Sequence, residues 1–529
     1  MITPRFSVIT PVHDPPLEVL RDCADSVFAQ VSPDWQWCVV DDGCGDPAVT
    51  RFLADLGRHR KVRLTRRPDS GGIVAASNDG LATADGELLV LLDHDDVLHP
   101  EALARIDALG VDDGVDLVYT DEDVLTAGGD VLDPVLKPGW SPERLRAHHY
   151  VNHVVALRTS VVRGLGGFRP GFDGSQDHDL VLRVSERARA VLHLPGVLYR
   201  WRTSPASVLA GGLAAKPGAW EAGRRAVAEH CERVGIDAEV GELDVPGIAR
   251  WYRVRRRVPA DVSVAVVVPV LGEDVRDDDG GLREMLKGLL EADPLPAEVV
   301  LVGAADVPGA LLEDAAAQCR DAGRPAQART CPRGSGRGAL RNWGAAAGDA
   351  EYLAFVDPTV SVSDGWLTEL VGLCTDPGVG AAGARVVRAG DVLEQAGYAL
   401  VDGFPEHLLR GLPARTTAYA AAALVPGERS AVSGACLATR RDVFTHVGGF
   451  SPEYQARYDD VDLCLKLRRL HRRVVYTPFC TASTRARTPS HYEHAVDLER
   501  LRGRWWRELH DDPYVNPAVR SAEWLTSRA

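Results

Sequence analysis

A run of apolar residues that ends in a cluster of acids is the feature of this sequence most suggestive of chemistry. The run Leu89–Leu92 is followed at once by Asp93-His-Asp-Asp96. Such a run is typical of a strand buried in a parallel sheet, and open α/β sheets bind ligands at the carboxyl ends of their strands. Three carboxylates this close repel one another unless a cation lies among them. The alternative is a cap for a helix beginning near Pro100, but the strand context favours a hard divalent cation.

Two further acidic motifs lie where predicted elements end or begin. Asp41-Asp-Gly43 follows the strand pattern Trp37–Val40, and by itself it is typical of a turn. Gln176-Asp-His-Asp179 precedes the apolar pattern of a helix, where a carboxylate can cap the helix N-terminus. The capping role fits Asp179 better than Asp177.

The elements that would position these acids alternate between strand and helix patterns. The predicted strands are Phe6–Pro11, Trp37–Val40, Val62–Thr65 and Leu88–Leu92, and the predicted helices are Leu17–Ala29, one within residues 44–60, and Ile73–Leu81. This alternation predicts a doubly wound α/β fold with a mostly parallel sheet.

Size and composition limit the class of protein. A chain of 529 residues is too long to fold around one hydrophobic core, so we expect two or more domains. The formal net charge of −15 argues against a nucleic-acid binder, but a divalent cation can still bridge acids to a phosphate-bearing ligand. The ten cysteines show no CxxC spacing, which favours reduced core thiols. No secretory signal opens the sequence, and the longest apolar stretch is too short for a bilayer. We expect a cytoplasmic protein and leave open a peripheral contact with the inner face of the membrane.

The sequence repeats itself loosely and in the same order. Four pairs of segments match: Ser7–Val12 with Ser263–Val270, Gly86–Asp93 with Ala350–Asp357, Gly166–Phe168 with Gly448–Phe450, and Asp177–Leu180 with Asp460–Leu463. Similarity in the same order over such spans indicates two copies of one domain rather than a short-period solenoid. We place the copies at residues 1–250 and 260–490, followed by a helical extension over 491–529. The basic segment Trp251–Pro259 between them fits a solvated linker strand better than a patch for an anionic membrane.

The motifs of the first copy together resemble those of the family 2 glycosyltransferases, which have the GT-A fold. They are Thr10-Pro-Val-His13, Val39-Val-Asp-Asp-Gly43, Ser77-Asn-Asp-Gly80, Asp93-His-Asp-Asp96, Tyr119-Thr-Asp-Glu-Asp123, Lys137-Pro-Gly-Trp-Ser-Pro142 and Gly174-Ser-Gln-Asp-His-Asp-Leu180. Each is weak alone, whereas their combination over residues 5–210 is specific. The chain is similar to tandem transferases of O-antigen and surface-polysaccharide synthesis, which implies two tandem GT-A-like domains.

The resemblance implies an inverting, metal-dependent transfer of a sugar from a nucleotide-diphosphate sugar to a saccharide or lipid-linked acceptor. Mn²⁺ or Mg²⁺ would stabilise the charge of the leaving diphosphate. Asp95 matches the direct metal ligand, with Asp93 and Asp96 beside it, and His94 is expected to be packed or exposed rather than coordinated. Asp177 matches the general base that accepts the proton of the acceptor hydroxyl.

The resemblance also implies a donor site, which we assign to Pro11, Asp41, Asp42, Asn78, Asp93 and Arg200. Asp41 or Asp42 matches the position that binds the uracil or thymine ring, and Asp93 lies near the ribose. Arg200 stands where the family usually has a histidine. An arginine cannot ligate a cation, but it can pair bidentately with a diphosphate.

The second copy keeps the core motifs and departs from the pattern at the donor site. Gly303 stands where the base-binding acid is expected, and Pro358-Thr359 interrupts the acidic triplet that begins at Asp357. A single carboxylate holds a divalent cation poorly. We therefore predict that the second copy has lost donor binding and has a structural or acceptor-binding role. At the end of the chain, Trp505 and Trp506 lie in an amphipathic helix that we expect to pack on this copy.

Two other functions compete with a single-site transferase. The first is a carbohydrate-binding or scaffold protein without turnover, which the arginine at position 200 would fit. The second is a bifunctional, polymerising transferase with two working domains. A nucleotidyltransferase is disfavoured because no glycine-rich phosphate loop follows the first strand, at Val12–Pro16.

Overall fold

The structure is a computed structural model that describes residues 4–110, 114–126, 128–203, 217–247, 249–275, 280–293, 295, 297–485 and 495–519. The chain divides into two compact units. The first consists of Met1–Trp140 with Leu145–Val254, and the second of Ser141–Arg144 with Arg255–Ala529.

The first unit is built around one eight-stranded sheet and a separate strand pair. Its strands are β1 Phe6–Val12, β2 Trp35–Asp42, β3 Val62–Arg67, β4 Leu88–Leu91, β5 Val97–Leu98, β6 Leu117–Leu125, β7 Val155–Arg158, β8 Val191–Arg202, β9 Ala238–Val245 and β10 Ala249–Arg256. The sheet has the order β3-β2-β1-β4-β7-β6-β8-β5, and β9 pairs with β10. Strands β1 to β4 pair in parallel, and β7 runs antiparallel to both of its neighbours. The predicted α/β class with a mostly parallel sheet is confirmed.

Eight helices accompany these strands in the part of the first unit that is described. They are α1 Leu17–Phe28, α2 Pro47–Leu56, α3 Gly72–Thr83, α4 Ala102–Asp107, α5 Pro142–Ala147, α6 Thr159–Gly164, α7 Gln176–Ser185 and α8 Pro217–Arg233. The three predicted early helices are present as α1, α2 and α3. Helix α4 has Glu101 at its N-cap and no side-chain cap, so the alternative in which Asp95 or Asp96 caps a helix is wrong.

Side chains on both faces of the central strands are buried, which is why these strands read as continuous apolar runs. In β1, Phe6 and Val8 pack into one core cluster and Ile9 into the other. In β4, Leu88 and Leu89 divide between the same two clusters. Because burial on two faces fixes the register, the acids that follow β4 are held at the carboxyl edge of the sheet.

The second unit repeats this architecture. Its strands are β11 Val264–Val270, β12 Glu298–Gly303, β13 Ala326–Thr330, β14 Tyr352–Val356, β15 Val360–Val362, β16 Val379–Arg388, β17 Val392–Gln395, β18 Tyr398–Val401, β19 Phe404–His407, β20 Gly427–Glu428, β21 Cys436–Arg440 and β22 Arg473–Thr484. Its helices are α9 Gly280–Glu291, α10 Gly309–Asp321, α11 Arg337–Ala345, α12 Trp366–Cys374, α13 Ala418–Ala421, α14 Arg441–His446, α15 Asp459–Arg469 and α16 Ala495–Trp505.

The two sheets have the same strand order, so positions in one unit can be matched to positions in the other. The main path of the second sheet is β13-β12-β11-β14-β21-β16-β22-β15. Val12 pairs with Asp41 as Val270 pairs with Gly303. The pairings of β1 with β4 and of β11 with β14 likewise align Asp93 with Asp357. The internal duplication predicted from the sequence is confirmed.

Several smaller expectations can be compared with the structure. All ten cysteines are buried free thiols, as predicted. No described helix has the length and apolar character needed to span a membrane. Trp505 is buried and its indole N–H donates to Asp462 at 2.9 Å, whereas Trp506 is 60% exposed, so the predicted packing is wrong for Trp506. The segment after Trp251 is a strand, but Arg256 is buried against Glu143 rather than solvated.

Candidate active site

A cavity of 50 Å³ lies in the first unit at the carboxyl ends of β1 and β4. Its lining includes Pro11, Asp93 and Asp177, which the sequence singled out from three distant segments, together with His153 and Tyr199. Parallel strands bring their carboxyl ends to one edge of the sheet. This edge therefore collects a predicted metal ligand and the predicted base at one place.

Asp93, Asp96 and His153 form a cluster in which one potential ligand atom from each lies within 4.8 Å of the others. Burial raises the pKa of Asp93, and burial together with the neighbouring charge of Asp93 raises that of Asp96 to about 8. The imidazole of His153 only partly opposes this effect. Two carboxylates and a ring nitrogen are a donor set that suits a divalent cation, and such a cation would relieve the repulsion between the acids.

The hydrogen bonds of the acidic turn distinguish its three carboxylates. Asp96 accepts hydrogen bonds from the Tyr199 hydroxyl at 2.6 Å and from the backbone N–H of Arg202 at 2.7 Å. Asp93 and Asp95, in contrast, make no side-chain hydrogen bond or ion pair within the described chain. Asp95 is not part of the three-residue cluster, although its own backbone carbonyl is held by Arg202 at 2.9 Å. Asp93 and Asp95 thus keep free oxygen atoms for a cation, and Asp96 fixes the turn.

His94 occupies the middle of the turn without joining the cluster. Its Nδ1–H donates to the carbonyl of Pro11 at 3.0 Å. This bond ties the acidic turn to the end of β1, as expected for a packed histidine rather than a ligand.

A buried chain of charged groups holds His153, and sequence reasoning missed it. The Nδ1 atom of His153 lies 3.0 Å from a carboxylate oxygen of Glu122, which is also 3.2 Å from the ammonium group of Lys137. Burial lowers the pKa of His153, but the charge of Glu122 outweighs it and the net effect raises that pKa to about 9. Glu122 and Lys137 belonged to the resembling motifs, yet only the fold reveals that they meet.

Asp177 lies in the first turn of α7 and faces the cavity. One carboxylate oxygen accepts the backbone N–H of His178 at 2.8 Å, and the other lies 3.5 Å from His149 Nε2. Burial raises the pKa of Asp177, but His149 and these hydrogen bonds outweigh burial and hold the pKa well below its usual range. The carboxylate is therefore ionised and can accept a proton. Asp179, in contrast, is fully buried and paired with Arg183 at 2.9 Å, a structural arrangement.

The acids at the end of β2 hold the loops around them. Asp41 accepts the backbone N–H of Cys44 at 2.8 Å and lies 3.2 Å from Arg66. Asp42 accepts the backbone N–H groups of residues 71 and 72 at 2.8 and 3.0 Å. The turn itself needs Gly43, whose φ is +71° and where a Cβ would lie 2.7 Å from the backbone of the loop after β3. Neither acid lines the cavity described above.

Two of the predicted donor-binding residues are engaged elsewhere. The amide of Asn78 accepts from the backbone N–H of Phe168 at 2.9 Å and donates to its carbonyl at 2.8 Å. The guanidinium of Arg200 donates twice to Asp123, both at 2.9 Å. Neither lines the cavity, so the structure does not bring them together with Asp93 and Asp177.

Comparison with known proteins agrees with the fold. Residues 7–124 match the family described as Glycosyl transferase family 2, and residues 259–507 match Glycosyltransferase like family 2. Over 97% of its length the chain is 34% identical to the O-antigen biosynthesis protein RfbC of Myxococcus xanthus, of which it covers 40%. It is 32% identical, again over 97%, to the uncharacterized protein y4gI of Sinorhizobium fredii, of which it covers 57%.

A more distant relative is the chondroitin synthase of Pasteurella multocida, 27% identical over 37% of this chain and 20% of that protein. The chain spans about half the length of the two relatives described above, from Myxococcus xanthus and Sinorhizobium fredii. The two family matches together cover more than half of the sequence. The chain belongs to glycosyltransferase family 2 and carries two tandem domains of that family.

Proposed function

We propose that the first unit catalyses an inverting, metal-dependent transfer of a sugar from a nucleotide-diphosphate sugar to a saccharide or lipid-linked acceptor in surface-polysaccharide synthesis. One observation carries the proposal. A single cavity in a family 2 domain is lined by Asp93 and His153, two members of a cluster suited to a cation, and by the ionised Asp177. Similarity to an O-antigen biosynthesis protein supports the class of product. We assign catalysis to residues 1–250 and the second copy to 260–490.

The residues of the acidic turn fit Mn²⁺ or Mg²⁺. Asp93 and Asp95 have carboxylates without hydrogen bonds in the described chain, Asp96 lies in the same turn, and His153 presents a ring nitrogen to it. A histidine whose other nitrogen is bonded to a carboxylate is a common arrangement around metals. When bound, the cation would stabilise the charge of the leaving diphosphate.

Asp177 is positioned to act on the acceptor. Its backbone bond to His178 and its contact with His149 fix the carboxylate toward the cavity. It accepts the proton of the acceptor hydroxyl as the oxygen attacks the anomeric carbon. Because its pKa is low, it is a weak base, so the proton moves late, when the attacking oxygen has become acidic. Attack opposite the leaving diphosphate inverts the anomeric centre.

The donor-binding assignments, including Asn78, remain part of the proposal, and the structural support differs from one residue to the next. Pro11 and Asp93 line the cavity. Asp41 and Asp42 lie at the end of the neighbouring strand β2, and both carboxylates already accept hydrogen bonds from nearby loops. They would bind a nucleotide base through the lone pairs that these bonds do not use. Arg200 is 43% exposed in its side chain and would have to exchange Asp123 for a phosphate.

The test combines donor binding and turnover. A ligand that binds only the folded protein raises its melting temperature, so nucleotide sugars are screened by thermal shift with MnCl₂ and with EDTA. Turnover of the best ligand is then measured for Asp95→Ala and Asp177→Asn, with Asp107→Asn as a matched exposed-acid control. We expect both site variants to lose turnover and Asp177→Asn to retain donor binding.

Three results would contradict parts of this function. Full turnover in EDTA, or full turnover of Asp95→Ala, refutes the proposed metal dependence. A wild-type rate in Asp177→Asn refutes the base. Saccharide binding without turnover of any nucleotide sugar favours the carbohydrate-binding alternative, and turnover that depends on Asp357 favours the bifunctional, polymerising alternative.

A further inference from the structure

The second unit contains a larger cavity at the carboxyl end of β14 and the N-terminus of α15. Its volume is 190 Å³. The lining of this cavity includes Arg341, Asp357, Gln395, Tyr398 and Asp460, all of which belong to the second unit. It therefore occupies the place that corresponds, by strand register, to the catalytic cavity of the first unit.

A guanidinium group stands where a divalent cation would be needed. Arg341 is 2% exposed and donates to Asp357 and to Asp459, both at 2.8 Å. In the matching of the two sheets, Asp357 corresponds to Asp93, and Val360 corresponds to Asp96. A permanently charged side chain already neutralises the remaining acids. This cavity therefore needs no metal.

The place of the nucleotide base is closed in the second unit. Gly303 holds the register position of Asp41. A Cβ on Gly303 would lie 2.4 Å from the Leu312 side chain, so α10 packs directly against the backbone there. The loss of the acid is thus built into the packing and is not a simple replacement at an open site.

One buried amide points to a ligand. Gln395 is 1% exposed and lines the cavity, and within the described residues its amide meets only the Tyr398 hydroxyl, at a geometry that gives neither the amide nitrogen nor the amide oxygen a normal hydrogen bond. The hydroxyl of Tyr398 lies near it and contacts Asp460 at 3.3 Å. A buried donor and acceptor that lack good hydrogen bonds destabilise the protein. A polar ligand in the cavity would satisfy both groups.

We propose that this cavity binds one uncharged sugar residue of a saccharide chain, without metal and without a nucleotide. The amide of Gln395 and the carboxylate of Asp460 supply the donor and acceptors that neighbouring sugar hydroxyls pair with. This inference rests on the proposed function, because a transferase that extends saccharides needs to hold such a chain.

The charges around the cavity argue for an uncharged ligand. Arg341 is shared by two carboxylates, and Arg337 is held by Asp274 at 3.0 Å. A diphosphate that paired with Arg337 or Arg341 would have to break these buried pairs, which is costly. Hydroxyl groups can bond to the cavity while all three ion pairs stay intact.

The experiment uses the full chain in EDTA and saturation-transfer difference NMR. The probes are glucose, galactose, N-acetylglucosamine and rhamnose, with UDP as the nucleotide probe. Gln395→Met keeps the length of the side chain and removes its amide, and Gln318→Met makes the same change away from the cavity, at a half-buried glutamine of α10 that donates to the backbone carbonyl of Arg283 at 3.0 Å. We expect at least one sugar to give a signal that EDTA and Gln318→Met leave unchanged, and Gln395→Met to weaken its binding about tenfold, equivalent to 1.4 kcal/mol.

Each outcome decides the proposal. No signal from any of the four sugars, or a signal that Gln395→Met does not change, overturns it. A UDP signal in EDTA that Gln395→Met removes also overturns it, since the cavity would then be a metal-free nucleotide site. If Gln395→Met lowers the melting temperature, Gln395→Glu takes its place. Normal sugar binding without Mn²⁺-stimulated nucleotide-sugar turnover would refute the proposed function and leave this inference standing.

Discussion

Replacing Glu122 by glutamine should destabilise the first unit and weaken its metal site together. Glu122 is 7% exposed in its side chain and is shared between Lys137 and His153, at 3.2 and 3.0 Å. Glutamine has the same shape but no charge. Lys137, which is 2% exposed, would then be a buried cation without its carboxylate.

The magnitude follows from these contacts. Removing one partner of a buried ion pair costs about 3–5 kcal/mol. Lys137 also donates to the backbone carbonyls of Asn152 and His153, which favours the lower end, about 3 kcal/mol. In a unit of this size, 1 kcal/mol shifts the melting temperature by about 2–4 °C. The transition of the first unit should therefore fall by roughly 6–12 °C.

The metal site should respond for a separate reason. Glu122 fixes the ring of His153 and raises its pKa to about 9. Loss of a carboxylate that orients a histidine ligand typically costs 10–100-fold in metal affinity. Calorimetric titration of Glu122→Gln with MnCl₂ should show a decrease of about that size.

Two further variants separate the effects. Glu221→Gln makes the same change in an exposed pair with Arg224, and such pairs contribute about 0–1 kcal/mol. Adding Lys137→Met to Glu122→Gln removes the unpaired cation and should restore much of the stability, but not the metal affinity. Equal melting temperatures for Glu122→Gln and Glu221→Gln would contradict the expected loss of stability. A double variant with the Mn²⁺ affinity of the wild type would contradict the role of Glu122 at the metal site.

Three other predictions concern pH, the second unit and the fold. Burial lowers the pKa of His178 to about 3, so below about pH 6.5 the unfolded chain binds a proton that the native chain does not. Between about pH 6.5 and pH 3, the free energy of unfolding measured in urea melts should therefore decrease as the pH is lowered, by up to about 1.4 kcal/mol per pH unit. His178→Gln should flatten this slope. Asp357→Ala should leave sugar transfer within twofold of wild type, whereas Asp95→Ala abolishes it in the same assay. Asn78→Ala should lower the melting temperature, because it breaks two hydrogen bonds to the backbone of Phe168, and a raised donor KM in the folded variant would support the donor-binding role proposed for Asn78.

The parts of the fold and site that the sequence predicts are those encoded over short spans. An apolar run such as Leu88–Leu92 specifies a buried strand, and the acids after it must then lie at the edge of the sheet. The chain Glu122–Lys137–His153 could not be predicted, because its members come from three segments whose pairing depends on the finished sheet. Their separate motifs carry no signal of a shared ion pair.

The duplication distinguishes residues that hold the fold from residues that do chemistry. Asn342 bonds to the backbone of Phe450 at 2.7 and 2.9 Å, as Asn78 bonds to that of Phe168. A contact that persists in a unit without the acidic triplet serves the fold, so a motif match alone does not separate this structural role of Asn78 from the donor-binding role proposed for it.

The same comparison indicates that two acids of the first unit, Asp41 and Asp96, are not needed for the fold. The positions of Asp41 and Asp96 carry Gly303 and Val360 in the second unit, and its sheet keeps the same strand order. Their carboxylates are therefore not required for this topology. Asp460 accepts the next backbone N–H at 2.8 Å, just as Asp177 does. That bond belongs to the helix start in both units, so the basicity proposed for Asp177 must come from the cavity it faces rather than from its place on the helix.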